Sequence, residues 1–72
     1  MKLMHFQQQQ DYRFTLYFAN GEVKTADLEP LIGAHVAPDS LVSARIDPEW
    51  GCLEFRGGEV DIAPQTLYRF AA

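Results

Sequence analysis

Along residues 11–18 the chain alternates strictly, with Tyr12, Phe14, Leu16 and Phe18 on one parity and Asp11, Arg13, Thr15 and Tyr17 on the other. A period of two places one apolar set on one face of a β-strand. Asn20-Gly21 follows at once. That pair is the preferred centre of a two-residue hairpin turn, in which both residues take positive φ. Such a turn sets Phe18 opposite Val23, Leu16 opposite Thr25 and Phe14 opposite Asp27. A second unit repeats the logic around Gly57-Gly58 and pairs Phe55 with Val60, Glu54 with Asp61 and Leu53 with Ile62. In each, an aromatic stacked on a valine beside the turn contributes about 0.2–1 kcal/mol.

Both units then run into Asp-aliphatic-x-Pro, as Asp27-Leu28-Glu29-Pro30 and Asp61-Ile62-Ala63-Pro64. An aspartate can accept hydrogen bonds from the unpaired amides of a starting helix, and proline is harmless in its first turn. The echo FANGEV/FRGGEV therefore reads as a hairpin whose second strand enters a capped helical turn, written twice. Between the units, Leu31-Ile32-Gly33 predicts a short helical turn, residues 34–41 a surface loop and residues 42–46 a strand. Residues 47–51, Asp-Pro-Glu-Trp-Gly, predict a turn into the strand that ends at Phe55. Residues 2–6 add a first strand at a sheet edge, and Gln7–Gln10 reads as an exposed link to the next. In residues 65–70, Leu67 and Phe70, with Tyr68 at a flank, form a helical stripe that can cover one sheet face. The expected class is α+β: a small, mostly antiparallel twisted sheet of two hairpin units, short helical turns and a C-terminal helix.

Length bounds this picture, because 72 residues make a single domain, residues 1–72, too small for a deep enclosed cavity. The single cysteine, Cys52, excludes an internal disulfide and makes a reducing cytoplasm the expected location. No stretch is apolar enough for a signal-peptide core or a membrane span, so no membrane partner is expected. Six basic residues against ten acidic ones give a net charge of −4 with the bases scattered. A phosphate-backbone binder wants the opposite balance, which argues against direct nucleic-acid binding.

Candidate chemistry is sparse. Glu54 and Asp61 face each other in the second unit and could share a proton or bind a metal, but a solvated pair with Arg56 or Arg69 nearby is the simpler reading. Asp27 falls on the apolar side with Phe14, where a helix-capping role accounts for a carboxylate that would otherwise be costly to bury. His5, His35 and Cys52 have no close-spaced partners of the kind zinc requires, so neither a metal nor a cofactor is expected. Tyr17, Trp50 and Tyr68 are the candidate interaction aromatics. For Trp50, a flap over the edge of the core is the leading role in so small a protein.

The hairpin FANGEV, the following DLEPLIG, the strand SARIDPEWGCLEF and the ending VDIAPQTLY together resemble the bacterial domain of unknown function 2442. The resemblance covers residues 12–68, and the segment around residues 33–43 is shorter than the family's. It implies a small α+β domain, often met as a short companion-like protein. The expected function is a non-enzymatic protein-interaction module, its partner another protein or a second copy joined as a homodimer through a sheet edge. The alternative is a small-ligand or enzymatic site built from Asp61, Glu54 and Arg69. Third is a nucleic-acid-linked regulator acting through a partner.

Overall fold

The computed structural model describes residues 1–72 and gives six strands and two short α-helices. Strands β1 (Leu3–Gln10), β2 (Arg13–Phe18) and β3 (Val23–Asp27) form one antiparallel sheet in that order. Strands β4 (Arg45–Ile46), β5 (Leu53–Phe55) and β6 (Val60–Ile62) form a second, also in chain order. Helix α1 (Glu29–Ile32) and a 3₁₀ helix (Pro38–Ser43) connect the sheets, and α2 (Pro64–Phe70) closes the chain. The fold is α+β, with the two hairpin units in separate sheets rather than in one.

The alternation in β2 is realised: Tyr12, Phe14, Leu16 and Phe18 are all buried. They meet Leu53, Phe55 and Ile62 from the second sheet and Leu67 from α2 in one core of 13 residues. Phe14 and Phe55 join the sheets edge to face, with ring centroids 6.2 Å apart. Of the expected apolar stripe on α2, only Leu67 is fully buried, and Phe70 stays exposed.

Three local expectations are corrected. Gln7–Gln10 is not a link but the second half of β1, which pairs Gln7 with Thr15 and Gln8 with Phe14. Polar side chains on an edge strand leave no hydrophobic period, although their backbone completes the ladder. The register slips between Leu3 and His5 and between Gln8 and Gln10, two bulges that increase local twist along this edge. Residues 34–41 are not a surface loop, because Val36 and Leu41 are buried and the Tyr12 hydroxyl donates to the Val36 carbonyl at 2.6 Å. The expected strand at 42–46 shrinks to Arg45–Ile46, since Val42 and Ser43 finish the 3₁₀ helix.

The register of the second hairpin is as expected: Leu53 opposes Ile62, Glu54 opposes Asp61 and Phe55 opposes Val60. The first is offset by one residue, with Tyr17 opposite Val23, Leu16 opposite Lys24 and Phe14 opposite Ala26. Here the Phe18 amide donates to the Glu22 carbonyl at 2.9 Å, and only Gly21, at φ 88°, takes positive φ in the loop. This is the longer three-residue loop with a left-handed glycine. A one-residue offset exchanges faces. Val23 is therefore 55% exposed instead of packing on Phe18, and Asp27 points to solvent instead of lying beside Phe14. No helix is long and apolar enough to cross a membrane.

Candidate functional site

The turn at residues 47–51 is the most tightly cross-braced surface feature beside an unfilled groove. Asp47 Oδ1 accepts from the Glu49 amide at 2.9 Å, the Gly51 amide donates to the Asp47 carbonyl at 2.8 Å, and the Asp47 amide donates to the Cys52 carbonyl at 3.0 Å. Pro48 adds a preset φ to this bracing. Gly51 lies at φ 73°, and a Cβ there would stand 2.5 Å from Lys2 Cβ. Glycine alone permits this approach, which also lets the Leu3 amide donate to the Gly51 carbonyl at 3.1 Å. The turn is thereby fastened to the start of β1.

That fastening leaves Trp50 projecting, 67% exposed. The expected flap over the core edge is not formed, since Trp50 is neither in the core nor packed against it. On one side lies a groove of about 360 Å³ between Trp50 and Cys52, Met1 and Lys2, and the first residues of α2, Pro64 and Gln65. A separate groove of about 300 Å³ lies along the same turn, bordered by Leu3, Met4, Ile46, Asp47, Pro48 and Gly51 but not by the indole. Lys2 borders both. The exposed side chain of Met1 shares the groove of the indole, and that of Met4 lies in the second groove.

Cys52 is not primed for chemistry. Partial burial, together with the negative charges of Asp61, Asp47 and Glu54, pushes its thiol above the ordinary range. At neutral pH it is a protonated thiol, not a thiolate nucleophile.

The other predicted residues are dispersed. Glu54 and Asp61 are cross-strand neighbours, yet Glu54 is 8% exposed and accepts from Arg45 Nε at 2.5 Å, while Asp61 is exposed. Arg69 forms no ion pair or side-chain hydrogen bond with either, so the proposed trio is not assembled. Asp27 is not the expected helix cap: the N-cap of α1 is Leu28, without a side-chain cap bond, and Asp27 Oδ1 accepts from the Glu29 amide at 3.0 Å in a turn one residue earlier. Asp61 makes no such bond, and α2, like α1, begins without a side-chain cap, after Ala63. Tyr17 lies against His5 with ring centroids 5.2 Å apart and its hydroxyl 3.4 Å from Gln7 Oε1. No group of three or more histidines, cysteines or carboxylates is arranged to hold a metal ion.

Tyr68 belongs to a different cluster. Its ring meets Phe18 edge to face at 5.2 Å and carries Lys24 Nζ 4.4 Å from its centroid, and its hydroxyl donates to Glu22 Oε2. That bond holds the Glu22 carboxyl below its ordinary range, helped by Asn20 and Lys24 and opposed by burial, and it raises the Tyr68 hydroxyl above its own. The cluster ties the first hairpin to α2. Neither it nor the Arg45–Glu54 pair was anticipated. Arg45 could have been found once β4 was read against β5, because the two residues are register partners.

A third concavity, about 240 Å³, is polar and lined by Gln10, Asp11, Arg13, Asp27 and Glu29 beside Tyr12. Its residues serve the β1–β2 turn and the start of α1.

Neither the comparison with curated proteins nor that with solved structures gives a match. The model of a family described as "Protein of unknown function (DUF2442)" matches residues 6–72, nearly the whole chain, so the protein belongs to the DUF2442 family.

Proposed function

We propose that the chain is a non-enzymatic protein-interaction module that docks through the face around Trp50. One observation carries the reading: a tryptophan 67% exposed that lines a groove and is held on a braced turn whose other residues border a second groove. Buried tryptophan anchors dominate interface energetics, and a rigid support lowers the entropy lost on docking. A bacterial cytoplasm suits this role, since it keeps Cys52 reduced.

The runner-up site of Asp61, Glu54 and Arg69 has less support, because Arg45 already engages Glu54 and nothing draws Arg69 in. A nucleic-acid-linked role would need the partner to supply the basic surface that this chain, at −4, lacks. Sheet-edge pairing is also less favoured than the Trp50 face: β1 carries two bulges and β4 is only two residues long, both of which discourage added strands.

The test is a photo-crosslinking side chain at Glu49, beside the indole, compared with one at Val42, which is 87% exposed on the 3₁₀ helix. The expected result is a discrete protein adduct from position 49 and none from position 42. Absent adducts, or equal yields from the two positions, would overturn the reading.

A further inference from the structure

The Trp50 face carries unpaired charge of both signs. Ion pairs within 4.0 Å engage Lys24 with Glu22, Arg45 with Glu54 and Arg56 with Glu59. Lys2, Asp47 and Glu49 are left without such partners, although Lys2 and Asp47 border the same groove. Glu49 is the exposed neighbour of the tryptophan. One patch thus contains a protruding aromatic with a groove beside it, a second groove joined to the first at Lys2, a free ammonium and free carboxylates.

A two-fold contact uses the same surface on both copies, so it requires a patch that complements itself. Knob and hollow lie side by side here, as do cation and anions. Resting on the interaction-module reading above, we propose that the occupant of this face is a second copy of the chain. In the two-fold dimer, Trp50 of each protomer enters a groove of its partner, and Lys2 of each faces Asp47 and Glu49 of the other. The size is adequate. A standard interface takes roughly 800 Å² from each partner, about a fifth of the 4307 Å² this chain exposes. Trp50 and Met1 in one groove, with the exposed Met4 in the other, supply apolar contact, and Lys2, Asp47 and Glu49 supply charge around it, the mix found in stable interfaces. Charge of both signs also fixes orientation, because a copy docked in the opposite sense would set carboxylates against carboxylates.

Sedimentation of the purified full chain over a range of micromolar concentrations tests this, with emission from its only tryptophan as a second readout. The expected result is a monomer–dimer equilibrium in which indole emission shifts to the blue as the dimer forms. Trp50→Ala weakens the dimer at least roughly thirtyfold, the effect of removing a hot-spot aromatic. Lys2→Glu alone and Asp47→Lys/Glu49→Lys alone each shift the equilibrium towards monomer. Mixing these two variants restores a dimer that contains one of each, a rescue that a folding defect could not produce. A wild-type chain that stays monomeric would overturn the proposal, as would a dimer indifferent to Trp50 or a mixture without rescue. A monomer whose position 49 still crosslinks to a different protein would leave the module reading standing and place a foreign partner on the face. Loss of that adduct as well would remove both.

Discussion

The two hairpins that share FANGEV and FRGGEV are built differently. In the first, Gly21 alone is left-handed, the loop is long by one residue and Val23 faces solvent. In the second, three consecutive residues are left-handed, Arg56, Gly57 and Gly58 at φ 51°, 67° and 97°, and Val60 stays opposite Phe55. The aspartate that follows accepts a backbone bond just before α1 in the first and none before α2 in the second, and it caps neither helix. A short motif thus encodes the tendency to reverse direction, and packing around it selects the loop. The first hairpin is held from outside by the Glu22–Tyr68 contact with α2, whereas the second is held from within, where the Arg56 amide donates to Ser43 Oγ at 2.9 Å and Arg45 neutralises Glu54.

The contact that joins the two units offers the largest break. Phe14→Ala and Phe55→Ala are each expected to cost about 3–5 kcal/mol, a large part of the roughly 4–11 kcal/mol typical for a chain of this length. The milder Phe14→Leu and Phe55→Leu changes form a double-mutant cycle in urea melts, and their shared ring contact predicts a coupling of about 0.5–1.5 kcal/mol. Strict additivity would mean that the sheets are not joined there. Next comes Arg45→Ala, which strands a nearly buried carboxylate of the second sheet and should cost about 1–3 kcal/mol. Glu54→Gln should recover part of that loss in the Arg45→Ala background, and an unchanged urea midpoint in Arg45→Ala itself would count against the pair.

The aspartates separate the hairpins most directly. Asp27→Ala should lower stability by about 0.5–1.5 kcal/mol through the lost bond to Glu29, and Asp61→Ala should stay within about 0.5 kcal/mol. Equal denaturation midpoints for the two variants would erase the distinction. The smallest effect is in pH. Glu22 has a depressed folded value, so its contribution is present at neutral pH and is lost as pH falls through that value, below the ordinary carboxylate range. Tyr68 has a raised folded value, so its contribution is lost as pH rises from the ordinary tyrosine range through it. The difference in melting temperature between wild type and Tyr68→Phe should therefore be steady around neutrality and shrink towards both extremes. A difference independent of pH would assign Tyr68 to packing alone.

Strict alternation made β2 readable because its period survives in any context that buries one face, and the second register followed from the paired glycines. The first register was not readable, because Asn20-Gly21 suits two loops of different length and neighbours decide between them. Gln7–Gln10 hid its strand for want of apolar residues, and Val36 and Leu41 hid their burial because an irregular connection has no period. For the candidate site, Trp50 stood out as a turn tryptophan. Its exposure depended on how closely Gly51 approaches Lys2, a contact between distant parts of the chain that no local pattern records.

That same contact has a bearing on how the chain folds. The β1–β2–β3 meander closes only short loops and can form early, whereas the hydrogen bond from Leu3 to Gly51 must wait for most of the chain to be placed. In pulse-labelled hydrogen exchange during refolding, amides shared between β2 and β3 should therefore gain protection before the amide of Leu3. On the ribosome the order is imposed by emergence, since the N-terminal sheet is exposed before Leu53, Phe55 and Leu67 exist to cover it. The first three strands must then persist for a time with Phe14 and Leu16 uncovered, a vulnerable interval in which the two bulges of β1 make its edge a poorer template for another chain.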